Sequence, residues 1–330
     1  MKVGILQFFG WRDRSVPLNS VYETALERFA IMDQAGYDAV WLAEHHFSSF
    51  SVCPSVHMMG TMAAARTKHL RIGTAVSLAP FYNPLRLAEE VALLDVLSGG
   101  RVNWGAGRGF KRSEFAAFGI PGEESAPRFH ETVDIVLKAW SNPRLSYQGR
   151  FYQYEDVEVL PKPLQAPHPP VWMAASSMAA IEWAASQGHS ILMDPHTSRA
   201  ELINRRRHYA VKLAEAGYSD AGRLIPMARL VAVDESADKA REVAKRAAGW
   251  MTASYVGRAG HVRQEVRNYR GKDPIDYYLE DVIFHGTTDS VAEQITAFGE
   301  EIGMNYLMAA PLSGRSFRLL TERVLPRIAG

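Results

Sequence analysis

The chain has 330 residues, 47% hydrophobic and 22% charged, which is enough to bury a large core and too apolar for a disordered type. Lys plus Arg number 37 against 36 Asp plus Glu, a balance that gives no overall pull toward nucleic acid or an anionic membrane. The single cysteine, Cys53, rules out an internal disulfide, argues against a thiolate metal cluster and suits a reducing cytosol.

The opening MKVGILQFFGWRDR holds a short apolar run, but Gln7 and Arg12 interrupt it too soon for a signal peptide. No stretch of about 18 apolar residues follows, so no membrane span is expected. Val3 to Phe9 reads as the first strand. Ser20, with Glu23 three residues on, reads as a capping box opening a helix whose face carries Tyr22, Leu26, Phe29 and Met32. Gly36 ends that helix, because glycine accepts the left-handed C-cap conformation. A second strand follows at 39–44. Pro84 sits well at a helix start, Leu87, Val91 and Leu94 form its stripe, and Ser98-Gly99-Gly100 stops it. Further on, Phe129, Val133, Val136, Leu137 and Trp140 make another stripe, Ser198 and Glu201 another capping box, and Gly188, Gly217 and Gly303 further stops.

Strand-like runs near 3–9, 39–44, 70–78, 102–107, 171–175, 190–194, 224–233 and 306–310, each linked by helical pattern, predict an α/β fold of the (β/α)8 TIM-barrel class with insertions, as one domain over 1–330. A doubly wound sheet would need a Gly-rich fingerprint after the first strand, and Leu6-Gln7-Phe8-Phe9 has none. Two stretches break the alternation. Residues 144–170 read as a hairpin around Gln148-Gly149 and a Pro-rich connector. Residues 249–285 are charged and aperiodic, which makes them either a surface excursion or an active-site lid.

In such a fold chemistry sits just past the C-terminal ends of the strands. The second strand delivers Glu44-His45-His46, the fourth Arg108, the fifth Ser176-Ser177 and the sixth Asp194-Pro195-His196. Two hydroxyls at a helix start, with a guanidinium, suit a phosphate. The competing reading makes Ser176 or Ser177 a plain N-cap and pairs Arg108 with Glu114. Adjacent histidines on a strand point to opposite faces, so Glu44, His45 and His46 match no closed metal motif and no metal is expected. A structural histidine and a metal hydrolase are the alternatives at this point.

The order of the pieces resembles the bacterial luciferase-like flavin monooxygenases over nearly the whole chain. It is carried by Gly36-Tyr37-Asp38-Ala39-Val40-Trp41-Leu42-Ala43-Glu44-His45-His46-Phe47, by Ile72-Gly73-Thr74-Ala75-Val76, and by Asn83-Pro84. Leu94-Asp95-Val96-Leu97-Ser98-Gly99-Gly100-Arg101, Gly105-Ala106-Gly107-Arg108-Gly109, Ser177, Glu182-Trp183-Ala184-Ala185 and Val324-Leu325-Pro326 continue it. The resemblance implies a luciferase-like barrel that binds reduced FMN, supplied by a separate flavin reductase. The phosphate would lie on Arg108, Ser176 and Ser177, and further cofactor contacts would come from Glu44, Ala75, Val76, Ala174 and Met193. His45 corresponds to the family's catalytic histidine, Ala75–Val76 to a non-proline cis peptide beneath the flavin ring, and residues 255–285 to a mobile loop.

The implied activity is insertion of one atom of O2 into a small organic substrate, aldehyde- or ketone-like, through a C4a-peroxyflavin. A cytosolic homodimer or heterodimer, without nucleic-acid or membrane partners, goes with it. The alternatives are a deazaflavin-dependent oxidoreductase of the same superfamily and a non-catalytic flavin-binding protein. Ala106 stands where light-emitting alpha subunits carry a reactive cysteine, and Ser176 where they carry a glutamate, so light emission is not expected.

Overall fold

Helix ends in the computed structural model, which describes residues 1–256 and 271–329, follow local signals that are plain in the chain. Asn83 caps the helix Pro84–Ser98 by accepting from the N–H groups of Leu85 and Arg86, and Pro84 fills the first position, where no donor is missed. Gly36, at φ 80°, closes the helix Leu18–Ala35 in the left-handed conformation. The expected box at Ser20 does not start that helix. Pro17 occupies the cap, the helix begins at Leu18, and the Ser20 hydroxyl donates back to the Pro17 carbonyl.

Two compact units are distinguished, Gln7–Trp172 and Met1–Leu6 with Met173–Gly330. In the first, Ala39–Leu42, Arg71–Thr74 and Val102–Gly107 pair in parallel, with Ala39 opposite Arg71 and Ile72 opposite Val102. Parallel strands buried on both faces read as continuous apolar runs, which is why Ala39-Val40-Trp41-Leu42 carries no polar residue. The Trp41 ring lies against the backbone of Gly73, where a Cβ would come within 2.3 Å of it, so the packing requires glycine there. The run expected at 70–78 is divided. After Thr74 comes a cis peptide between Ala75 and Val76, then a short strand Ser77–Leu78 beside Ala106 and Gly107. The hairpin at Gln148-Gly149 forms as Leu145–Gln148 against Gln153–Val157, and buried Glu131 accepts from the N–H groups of Phe151 and Tyr152 at its tip.

In the second unit, Lys2–Gln7 pairs in parallel with Tyr306–Pro311, which pairs with Pro226–Val233, which pairs with Ile283–Gly286. All eight residues of Pro226–Val233 are buried. Each large aliphatic or aromatic side chain buried this way contributes about 1.5–3 kcal/mol. Arg229 is buried among them. Its guanidinium donates to the carbonyls of Thr197 and Asp281 and stacks 5.5 Å from the Phe284 ring and 5.4 Å from Phe298, and burial lowers its pKa to about 10. Ile283–Gly286 is a strand that the sequence does not announce, because four residues at the end of the charged, aperiodic stretch carry no strand pattern of their own. Much of the expected lid, residues 257–270, lies outside the described residues. Among the described residues no helix is long and apolar enough to cross a membrane.

Candidate active site

Strand Ala39–Leu42 ends two residues before Glu44, so Glu44-His45-His46 occupy the loop at its C-terminal end. The chain then bends, with Phe47 at φ 51°, a conformation uncommon outside glycine. The two imidazoles separate at this bend rather than by the strand's pleat. His45 is buried against Phe8, Phe50 and Phe110, with ring centroids at 6.4, 5.2 and 6.4 Å. His46 turns to Phe47, Phe81 and Phe118.

Glu44 explains the parting. Its carboxylate is buried and takes three hydrogen bonds, from His46 Nε2 at 2.9 Å, the Leu78 N–H at 3.2 Å and the Tyr82 hydroxyl at 3.0 Å. Burial, with the Glu44 charge, pushes the Tyr82 phenol well above its usual range. A second buried chain holds the neighbouring residue, for Ser77 Oγ meets His57 Nε2 at 2.9 Å and His57 Nδ1 meets Glu90 at 3.0 Å. The segment after the cis Ala75–Val76 peptide is therefore fixed by two carboxylate–imidazole networks, and Ala75 N–H donates to the Leu42 carbonyl at 2.7 Å.

His45 donates its backbone N–H to the Cys53 carbonyl at 3.1 Å, and its ring Nδ1 has no hydrogen-bond partner among the described residues. Glu114 Oε1 lies 3.9 Å from that nitrogen, beyond hydrogen bonding and well inside Coulomb range. The same oxygen accepts from the His46 N–H at 3.1 Å and lies 3.6 Å from Lys111 Nζ. Burial pulls the His45 pKa down and holds the ring neutral, while Glu114 pulls the other way. Burial alone would raise the Glu114 carboxyl, but His45, Lys111 and the His46 N–H outweigh it and keep its pKa low. Burial lowers the Lys111 ammonium as well.

The sequence reading named Glu114 only as a partner for Arg108 and did not name Lys111, Phe8 or Phe50 as site residues. The signal for Glu114 is its place on the short helix Arg112–Ala117, which follows the strand Val102–Gly107. Arg108 is half-buried at the end of that strand, and its charge, after burial, helps to hold the His130 imidazole below its usual range.

In the other unit, Ser177 is the N-cap of the helix Met178–Ser186, its Oγ accepting from the Ala180 N–H at 3.3 Å. Ser176 and Ala174 are half-buried beside it at the end of Val171–Ala174. Met193 is buried at the end of Ser190–Leu192, bridged to Met227. His196, past the same strand end, meets the Tyr278 hydroxyl at 3.1 Å through Nδ1. Among the described residues no group of three or more His, Cys, Asp or Glu could hold a metal ion.

The flavin-dependent trigonelline monooxygenase, oxygenase component, of Acinetobacter baylyi is 31% identical over 57% of this chain and 53% of its own length. The aligned region spans about half to three fifths of the length of the first curated relatives. The crystal structure of monooxygenase RslO1 from Streptomyces bottropensis superposes with a TM-score of 0.87 at 27% identity, covering 100% of both chains. The oxygenating constituent of 3,6-diketocamphane monooxygenase from Pseudomonas putida, in complex with FMN, matches with a TM-score of 0.83 at 18% identity over 99% of this chain and 98% of that one. An F420-dependent secondary alcohol dehydrogenase matches at 0.80 and 20% over 100% and 99%. These last two likenesses are of fold, and the α/β barrel class expected from the sequence stands. Residues 1–306 match the luciferase-like monooxygenase family, and the chain belongs to that family.

Proposed function

We propose that the protein is a flavin-dependent monooxygenase that takes reduced FMN from a separate reductase and uses O2 to place one oxygen atom in a small aldehyde- or ketone-like substrate. The observation that carries this reading is His45, a neutral imidazole in an aromatic enclosure with Nδ1 unpartnered among the described residues. A buried polar atom left without a partner is costly, by about 1–3 kcal/mol, and is retained where it serves a ligand or a reaction.

Bound reduced flavin would supply the electrons that activate dioxygen. The chain's own part is to bind, to exclude water and to move protons. Phe8, Phe50 and Phe110 keep the surroundings of His45 apolar, which suits chemistry that stray water would divert. His45 accepts or delivers a proton, a role that contributes about 10²–10⁴ in rate when the group is positioned. Glu44 holds His46, Leu78 and Tyr82 in place. The assignment of the phosphate to Arg108, Ser176 and Ser177, and of ring contacts to Ala75, Val76, Ala174 and Met193, carries over from the sequence likeness; Ser177 Oγ is engaged as the cap of its own helix, so what that position would offer a phosphate is the N–H groups of the helix start.

A homodimer is part of the proposal. The neighbouring helices Val56–Arg66 and Pro84–Ser98 leave Met58, Met62, Leu93 and Leu97 exposed, apolar side chains that a second copy would cover. A reducing, cytosolic setting suits the lone Cys53, which is buried with its thiol pushed up to about 12.

The deciding experiment offers the chain reduced FMN or reduced deazaflavin with a panel of aldehydes, ketones and amines under oxygen. Product heavier by one oxygen atom with FMN supports the reading. Substrate reduction with deazaflavin alone would replace it with the hydride-transferring alternative.

A further inference from the structure

The Lys111–Glu114–His45 cluster does more than line the site. Glu114 is buried at 2% exposure, yet it sits on a six-residue helix, Arg112–Ala117, beside a lysine that is itself largely buried. One oxygen, Oε1, faces three groups: the His46 N–H at 3.1 Å, Lys111 Nζ at 3.6 Å and His45 Nδ1 at 3.9 Å. The first is a fixed hydrogen bond that anchors the carboxylate to the histidine loop. The other two are both too long for good hydrogen bonds, and they lie within 0.3 Å of each other in length.

We infer that Glu114 and Lys111 are a positioning pair for His45: Glu114 accepts a hydrogen bond from the Nδ1–H when the imidazole becomes charged, and Lys111 is the cation that competes for the same carboxylate oxygen while the imidazole is neutral. This rests on the reading of His45 as the proton-moving group. The proton balance is simple. A neutral imidazole has one N–H, and uptake of one proton gives it two. The N–H at Nδ1 then needs an acceptor, and closing the gap to Glu114 from 3.9 Å to about 2.8 Å supplies a charge-assisted hydrogen bond. Glu114 stays ionised throughout, so no second proton moves.

The charged and titratable groups that face His45 among the described residues of its unit are few. On its own loop, Glu44 is engaged by His46, Leu78 and Tyr82. From the following loop comes Cys53, whose carbonyl takes the His45 N–H and whose thiol stays neutral. From the segment after the fourth strand come Lys111 and Glu114, of opposite sign. Phe8, Phe50 and Phe110 pack against the ring and bring no charge. Lys111 and Glu114 are therefore the two handles on the His45 proton.

The test is an NMR titration of the His45 imidazole in the whole chain with labelled histidine, the signal being assigned by its loss in His45→Asn. Glu114→Gln keeps the acceptor for the His46 N–H, removes the charge and should move the His45 midpoint down by about one pH unit. Lys111→Met should move it up by about as much, since the competing cation is gone. Glu114→Asp, which keeps the charge, should reverse part of the downward shift. Opposite shifts in the two variants support the pair; a shared direction, or no change in Glu114→Gln, overturns it. A merely structural role would alter folding without producing opposite shifts. The titration needs no substrate, so failure of the monooxygenase reading would show separately, as absence of oxygenated product in the unaltered chain.

Discussion

The buried Glu44 carboxylate and the half-buried His46 ring form a pair, Oε1 to Nε2 at 2.9 Å, and in doing so they turn the second histidine of the motif away from the first. The pair makes the adjacent imidazoles unequal. His46 is a wall element with a fixed partner, and His45 faces the aromatic enclosure.

The Glu44 carboxylate therefore has structural weight. Glu44→Ala would leave the His46 ring, the Leu78 N–H and the Tyr82 hydroxyl without their acceptor. A buried donor left without its acceptor costs about 1–3 kcal/mol. Urea denaturation should show a loss in that range, with Glu44→Gln milder because one acceptor oxygen remains. An unchanged midpoint in Glu44→Ala would show that the network contributes nothing.

Gly73 makes a packing prediction. An added Cβ would meet the Trp41 ring at 2.3 Å, and the ring is itself held edge-on to Trp172 at 5.4 Å. Gly73→Ala should destabilise by about 1–3 kcal/mol, as overpacking of a dense core does. Thermal denaturation reads this directly, and a stability equal to the parent's would mean that the ring has room to yield.

The pH dependence follows from two depressed pKa values. His45 is lowered by burial, so its folded value lies below its unfolded one near 6.5. Glu114 is lowered by its partners against burial, so its folded value lies below about 4.3. In both cases the unfolded state binds more protons, so each group contributes stability that is present above its unfolded value and lost as pH falls through its folded one. Stability should therefore decline with acid below about pH 6.5, and His45→Asn should flatten the upper part of that decline. An identical slope in the variant would remove His45 from the titrating set.

Assembly is tested at Leu97, an exposed residue of Pro84–Ser98. Leu97→Glu places a charge on the apolar helix face without touching the core. Light scattering after gel filtration should show the mass fall from twice that of the chain to that of one chain. A parent that already runs as a monomer would dismiss the dimer.

Much of this was legible from local signals. Gly36 and the Asn83-Pro84 pair marked helix ends because conformational freedom and capping act within a few residues. What escaped depends on the rest of the molecule. Pro17 displaced the Ser20 box by setting the backbone before it. Ile283–Gly286 is a strand because Pro226–Val233 pairs with it, and its four residues carry no pattern of their own. Glu114 is 69 positions from His45 in the chain, too far for spacing to suggest the meeting.

The central claim is that His45 moves the proton in a flavin-dependent oxygenation. Binding of reduced FMN and yield of oxygenated product, measured together in His45→Asn, test it most directly. The account predicts binding close to that of the unaltered chain and product formation down by about 10²–10⁴, with hydrogen peroxide released in its place. Product formed at the unaltered rate, with flavin still bound, would contradict it.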